Sequence, residues 1–231
     1  MCGRFVRATE ALQSTDLIEG LTLSDIKLSP RFNIAPTQLA LVARDHSDTC
    51  TRELVPLKWG LVPHWSKDSK TGAKLINARN ETVAIKPSFR DSFKIHRCLV
   101  ATDGWYEWKV TPTGKVPMFI HRMTSNGEIV PFFFAGLWAR WRGKGTPDTD
   151  PLETFMIVTR DASPELSEVH DRMPVLLPQS AYGAWLDRRV TDSAAVNEIL
   201  TAAVLDGFHA YPVSTRVNSP KNDDAACVKV A

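Results

Sequence analysis

RCLVATDGWYEWKV, residues 97–110, decides the architecture, because it is rich in β-branched and aromatic residues and reads as strand. Working outward, LALVAR (39–44), VPMFIHRM (116–123), IVPFFFAGLWARW (129–141), TFMIVTR (154–160) and MPVLLP (173–178) have the same character, with Gly, Pro, Asp or Ser between them. Helices are few and late. Ser163 and Pro164 supply a cap and a first turn for a short helix ending near His170. Val196, Ile199, Leu200, Ala203 and Val204 recur at helical spacing ahead of Gly207 and predict a helix over 192–205. This order lacks the strand-helix-strand rhythm of a doubly wound sheet. It predicts an α+β fold, a mainly antiparallel, barrel-like β-sheet core with peripheral helices, as one domain over residues 1–231. GKGTPDTDP (143–151) reads as an exposed loop and SPKNDDAA (219–226) as a polar stretch, both too short to divide domains.

A chain of 231 residues that is 43% hydrophobic can bury a core of its own. A formal charge of +2 names no partner, though it leaves room for a local basic groove. The four cysteines, Cys2, Cys50, Cys98 and Cys227, are scattered and form no C-x-x-C pair, which argues against a disulfide framework or a zinc site. With no signal-like or long apolar run, the expectation is an intracellular, reduced protein, cytoplasmic or nucleoid-associated, with no membrane segment, no metal and no cofactor.

Cys2 stands directly behind the initiator methionine. Cys is small enough for Met1 to be trimmed, which would leave an amine and a thiol on one residue. Elsewhere, polar residues interrupt apolar surroundings in WGLVPHW (59–65), INARNET (76–82), DGWYEW (103–108) and VHDRMPVLL (169–177). Each has an ordinary structural explanation. Glu107 can face outward from its strand, His170 can cap a helix, Asn77 can serve a turn, Arg79 can pair with Glu81 or Asp91, and Trp65 can be a core aromatic.

Taken together, MCGRF, RFNIAPTQ (31–38), WGLVPHW, LINARNET (75–82), Phe89-Arg90, RCLVATDGWYEW and HDRMPVLL (170–177) occur in one order. This order resembles the SOS-response-associated peptidase (SRAP) family of abasic-site processing proteins, from Cys2 to about Pro178 and more weakly at YPVSTRVN (211–218). The resemblance implies a protein that recognises single-stranded DNA carrying an abasic site and cross-links to it through the N-terminal cysteine, without a cofactor and as a monomer. It assigns Cys2, Asn77, Glu107 and His170 to the chemistry, and Arg4, Arg79 and Arg172 to the DNA phosphates, with Thr159 a weaker addition to the same surface. Trp65 is expected to stack on bases beside the lesion.

The chemistry can be rebuilt from the residues. An open-chain abasic sugar is an aldehyde, a primary amine converts it to a Schiff base, and a neighbouring thiol closes onto the imine carbon to give a thiazolidine. Only an N-terminal cysteine supplies both groups. Two other classes of function use the same residues. A thiol peptidase would pair Cys2 with His170 and Asn77 or Glu107, with its own leader as the natural substrate. A noncovalent reader of modified or single-stranded DNA would use the arginines and Trp65 alone.

Overall fold

Asp103 divides the stretch 97–110 into strands of different sheets. Its carboxylate is buried and accepts from the backbone N–H groups of Ala8 and Thr9, the latter at 2.9 Å, so the chain changes sheet there. This computed structural model describes residues 2–9, 18–23, 29–46, 51–143, 150–202 and 207–231. The first strands are β1 (Phe5–Arg7), β2 (Leu21–Leu23), β3 (Arg31–Ile34), β4 (Leu39–Asp45), β5 (Arg52–Trp59) and β6 (Asn77–Arg79). Two short helices follow, α1 (Asn80–Val83) and α2 (Arg90–Ile95). The long strands are β7 (Arg97–Thr102), β8 (Gly104–Thr111), β9 (Gly114–Arg122), β10 (Phe132–Trp141) and β11 (Leu152–Asp161). The chain then forms β12 (Arg172–Pro174), α3 (Gln179–Leu186), α4 (Ser193–Ala202) and β13 (Phe208–Pro212).

The order β11-β10-β7-β4-β5 is antiparallel throughout and closes on itself through a parallel pairing of β5 with β11, Trp59 opposite Phe155. The result is a five-stranded barrel. A second, antiparallel sheet runs β13-β9-β8-β1-β3. Every residue of β7 is buried because both its faces are covered: Leu99 and Ala101 join a cluster with Phe93, Trp185 and Leu200 of the helices, while Cys98 and Val100 join one with Phe5 and Trp105 of the second sheet. The fold is thus a single α+β domain with a mainly antiparallel barrel and few helices, as the sequence predicts.

β11 outruns the barrel. Its first half lies between β10 and β5, and its second half is flanked by β12 and β6 instead. Delivery of β6 to that position depends on a glycine crossing. Gly60 has φ 126°, and a Cβ there would fall 2.6 Å from the carbonyl oxygen of Gly72, so no other residue fits without displacing backbone.

Two expected elements differ. Residues 164–169 form turns rather than a helix: Ser167 and His170 make isolated i→i−4 bonds, while the Ala162 N–H bond to Asp171 O, 2.9 Å, closes the segment as a connection between β11 and β12. The run at 173–178 pairs as a strand only through Pro174, beyond which Leu176 makes a lone bridge to Phe134. The late helix spans Ser193–Ala202, with the Asp192 carboxylate capping the N–H groups of Ala194 and Ala195; residues 203–206 lie outside the described residues, as does most of the loop at 143–151. Cys2, Cys98 and Cys227 are free thiols, and Cys50 lies outside the described residues. Among the described residues no helix is long and apolar enough to cross a membrane, and no three His, Cys, Asp or Glu side chains group as metal ligands.

Candidate active site

Strand pairing brings Cys2 and Glu107 together. β1 pairs with β8 antiparallel, Phe5 opposite Trp105, and the Tyr106 N–H continues the ladder to Arg4 O at 2.9 Å. The residues preceding Arg4 therefore run alongside Glu107. Phe5 packs edge-on against Trp59 at 5.1 Å, which anchors the segment in the core and leaves Cys2 fully buried. From the other side β6 lies parallel to β11, Asn77 opposite Ile157, and the Asn77 side-chain N–H donates to Cys2 O at 2.7 Å. Asn77 Oδ1 is buried and has no hydrogen-bond partner among the described residues. His170, at the end of the β11–β12 connection, places Nε2 3.9 Å from Glu107 Oε2.

Burial dominates the electrostatics. It pushes the Glu107 carboxyl up to about 7, against the lowering effect of the terminal amine and with a smaller rise from Asp171. Burial, reinforced by the negative charge of Glu107, also pushes the Cys2 thiol up, against weaker opposing effects from the charge of the terminal amine and from the Arg4 backbone N–H. His170 is lowered, again chiefly by burial. Its Nδ1 faces two groups with opposite demands, the Arg172 backbone N–H at 2.9 Å and Asp171 Oδ1 at 2.7 Å. The amide is a fixed donor, whereas the Asp171 side chain is 85% exposed and well hydrated. The amide therefore sets the tautomer, and Nε2 carries the proton on the side of Glu107.

The three arginines assigned to phosphate occupy different environments. Arg172 is 7% exposed and grips both oxygens of Glu81, at 2.7 and 3.0 Å, together with Asp161 at 2.5 Å and Thr159 O at 2.9 Å. These bonds raise it and lower Glu81. Arg4 donates to Asn33 Oδ1 and to Val217 O, both at 2.7 Å, so its side chain is held within the fold. Arg79 is exposed at the junction of β6 and α1 and has no side-chain hydrogen bond or ion pair among the described residues. Glu81 is bound to Arg172 instead, and Asp91 lies 3.7 Å from Arg90. Thr159 is buried, with its hydroxyl 3.3 Å from Ala78 O, so it braces β6 from within and presents nothing to solvent. Trp65 is 52% exposed and lines a groove with Pro63, Pro87, His96 and Arg140.

Sequence reasoning missed Asp171 and Asn33, and offered Glu81 to Arg79 rather than to Arg172. Glu81 and Asp171 sit inside the motifs INARNET and HDR, and Asn33 is a polar residue at a buried position of a strand.

A model of the family described as SOS response associated peptidase (SRAP) matches residues 1–220. The chain belongs to the SRAP family. It is 38% identical to the abasic site processing protein YoqW of Bacillus subtilis over 99% of both chains. It is 31% identical to the abasic site processing protein YedK of Escherichia coli, again over 99% of both. Among solved structures, a protein from Bacteroides thetaiotaomicron superposes over the whole of both chains with a TM-score of 0.80 at 25% identity. Within this SRAP chain, Cys2, Asn77, Glu107 and His170 converge from four separate segments of the fold.

Proposed function

We propose that this chain processes abasic sites in single-stranded DNA by joining covalently to them through Cys2 once Met1 has been removed. The observation that carries this reading is the 2.7 Å bond from Asn77 Nδ2 to Cys2 O, which holds the second residue of the chain against Glu107 and His170. No structural need places a buried cysteine, a carboxyl raised to about 7 and a neutral histidine together.

The freed Cys2 amine attacks the sugar aldehyde, the nitrogen passes its proton on, and the carbinolamine hydroxyl leaves as water to give an imine. An α-amine with a pKa of about 8 has a substantial neutral fraction near neutrality, where a lysine of about 10.4 has little. Glu107, poised near 7, can donate a proton to the departing oxygen and take one back, and the Nε2–H of His170 extends the same relay. The thiol then adds across the imine: a C–S bond forms and the thiol proton passes to nitrogen. Asn77 Oδ1 is a buried acceptor beside Cys2, suited to the N–H of amine and thiazolidine alike without adding charge. The imine also permits β-elimination at the sugar, and ring closure by the thiol competes with that lyase reaction.

Arg79 would meet a backbone phosphate, being exposed and without a side-chain hydrogen bond or ion pair among the described residues. Trp65 offers its half-exposed face to a neighbouring base. The reading describes a monomer acting on DNA inside the cell, in the cytoplasm or at the nucleoid. A peptidase acting on other proteins fits less well, because a thiolate nucleophile needs its pKa lowered and here burial and Glu107 raise it.

The test is incubation of the purified protein with matched intact and abasic single strands, followed by a denaturing gel. The reading expects a heat-stable adduct with the abasic strand alone. No adduct, or equal adducts on both strands, refutes it.

A further inference from the structure

Resting on that functional reading, we infer that Asn33, together with residues 217–223, is a positioning device that holds the Cys2 segment and Glu107 in reactive register. The mechanism above uses none of these residues, yet the geometry converges on it from both sides.

Asn33 is fully buried on β3 and saturates its side chain. Its Oδ1 accepts from Arg4 at 2.7 Å. Its Nδ2 faces the carbonyl oxygens of Val217 at 3.1 Å, Ser219 at 3.1 Å and Asn222 at 2.7 Å. An amide NH2 has two protons, so three acceptors leave it no spare capacity. The Asn33 backbone N–H donates to Asp223 Oδ1 at 2.8 Å, and the Phe32 N–H reaches the same oxygen at 2.5 Å. Arg4, two residues beyond Cys2, bonds the same segment directly through Val217 O.

The segment also reaches the strand of Glu107. Asn218 Oδ1 accepts from the Trp108 indole N–H at 2.8 Å, and the Arg4 guanidinium lies 5.9 Å from the centre of the Trp108 ring. On the other flank of Glu107, the Tyr106 hydroxyl donates to Phe32 O at 2.8 Å, one residue from Asn33. Glu107 is therefore set between two aromatic residues that are each tied back to this hub, and the chain leading from Cys2 is tied to it through Arg4. A buried amide with four side-chain bonds fixes direction as well as distance, which an apolar contact would not do.

A positioning role separates from a structural one in kinetics. Displacing a reacting group by about 1 Å can cost on the order of a hundredfold in rate without weakening substrate binding. Asn33→Ala should lower the cross-linking rate at saturating abasic DNA by at least about tenfold, with equilibrium affinity for an intact single strand unchanged. Because Asn33→Ala can fail to fold, Asn218 gives an exposed second arm. Asn218→Ala removes the Trp108 acceptor and should slow cross-linking about threefold, whereas Asn218→Asp keeps an acceptor and should restore the wild-type rate. Unchanged rates in Asn218→Ala, or a failure of Asn218→Asp to rescue, overturn the inference, as does a loss of DNA affinity in proportion to rate. A wild-type protein that forms no adduct at all refutes the functional reading instead, so the two failures are distinct.

Discussion

Arg44 on β4 and Glu107 on β8 are both almost wholly buried, yet burial has opposite outcomes for their charges. Burial works against Arg44, but hydrogen bonds to Glu153 at 2.8 Å and Glu53 at 2.7 Å more than offset it and raise its pKa on balance. Arg140 adds a second cation 3.0 Å from Glu153, and the Trp138 ring lies 4.1 Å from the Arg44 guanidinium. Glu153 is lowered accordingly, its cationic partners outweighing its own burial. At Glu107 burial wins and the carboxyl rises to about 7, while His170 beside it falls. A cluster whose charges answer one another holds strands together. One whose groups are pushed toward neutral pH can exchange protons.

Three substitutions probe this contrast, in decreasing order of effect. Glu107→Gln keeps the shape but cannot pass a proton, so adduct formation should slow about a hundredfold at pH 7 in a single-turnover assay; a wild-type rate would return Glu107 to a structural role. Glu153→Gln should leave chemistry intact and cost about 2 kcal/mol in denaturant unfolding at pH 7, because Arg44 keeps only Glu53 as a charged partner in a buried site.

The pH dependence of the two sites should have opposite sign. Glu107 has a folded pKa above its ordinary 4.5, so the folded state binds the extra proton, and stability is lost as pH rises from 4.5 through about 7. Glu107→Gln should therefore flatten that fall and gain on wild type toward pH 8. Glu153 is lowered, so its contribution is present above 4.5 and disappears as pH falls through its folded value. Denaturation midpoints over pH 3 to 8 for wild type and both variants would show the two signs, and parallel curves would erase the distinction.

The smallest effect concerns the arginines. Arg79→Ala should weaken binding to intact and abasic strands alike and reduce the log-log salt slope by about 0.7, with stability within about 0.5 kcal/mol of wild type. Should the slope stay fixed in a titration from low to moderate salt, Arg79 meets no phosphate.

Most of the barrel was legible because β4, β7, β10 and β11, like β9 of the second sheet, are long runs rich in apolar, β-branched and aromatic residues whose pattern is local. β1, β2, β3 and β6 have three or four residues each, too short to carry a periodicity, and they exist because longer strands present them an edge. The segment at 164–169 carries helical signals, but closing β11 onto β12 constrains it more strongly than propensity does. Within the site, Cys2, Asn77, Glu107 and His170 were legible as members of ordered motifs. The commitments of the arginines were not, because they are decided across long separations: Arg172 meets Glu81 from 91 residues away, and Arg4 meets Val217 from 213. Arg79, which keeps its side chain in solvent, is the one of the three whose placement follows from residue type alone.

The central claim is that Cys2 supplies both amine and thiol to one carbon of the abasic sugar. Intact mass of the adduct, followed by peptide mapping, tests it most directly. The account predicts a protein lacking Met1 whose mass rises by that of the abasic strand less one water, with the attachment confined to Cys2. It also predicts that Cys2→Ala yields no heat-stable product, only an imine that borohydride can trap. A heat-stable adduct of unchanged yield in Cys2→Ala, or attachment mapped to another residue, would contradict it.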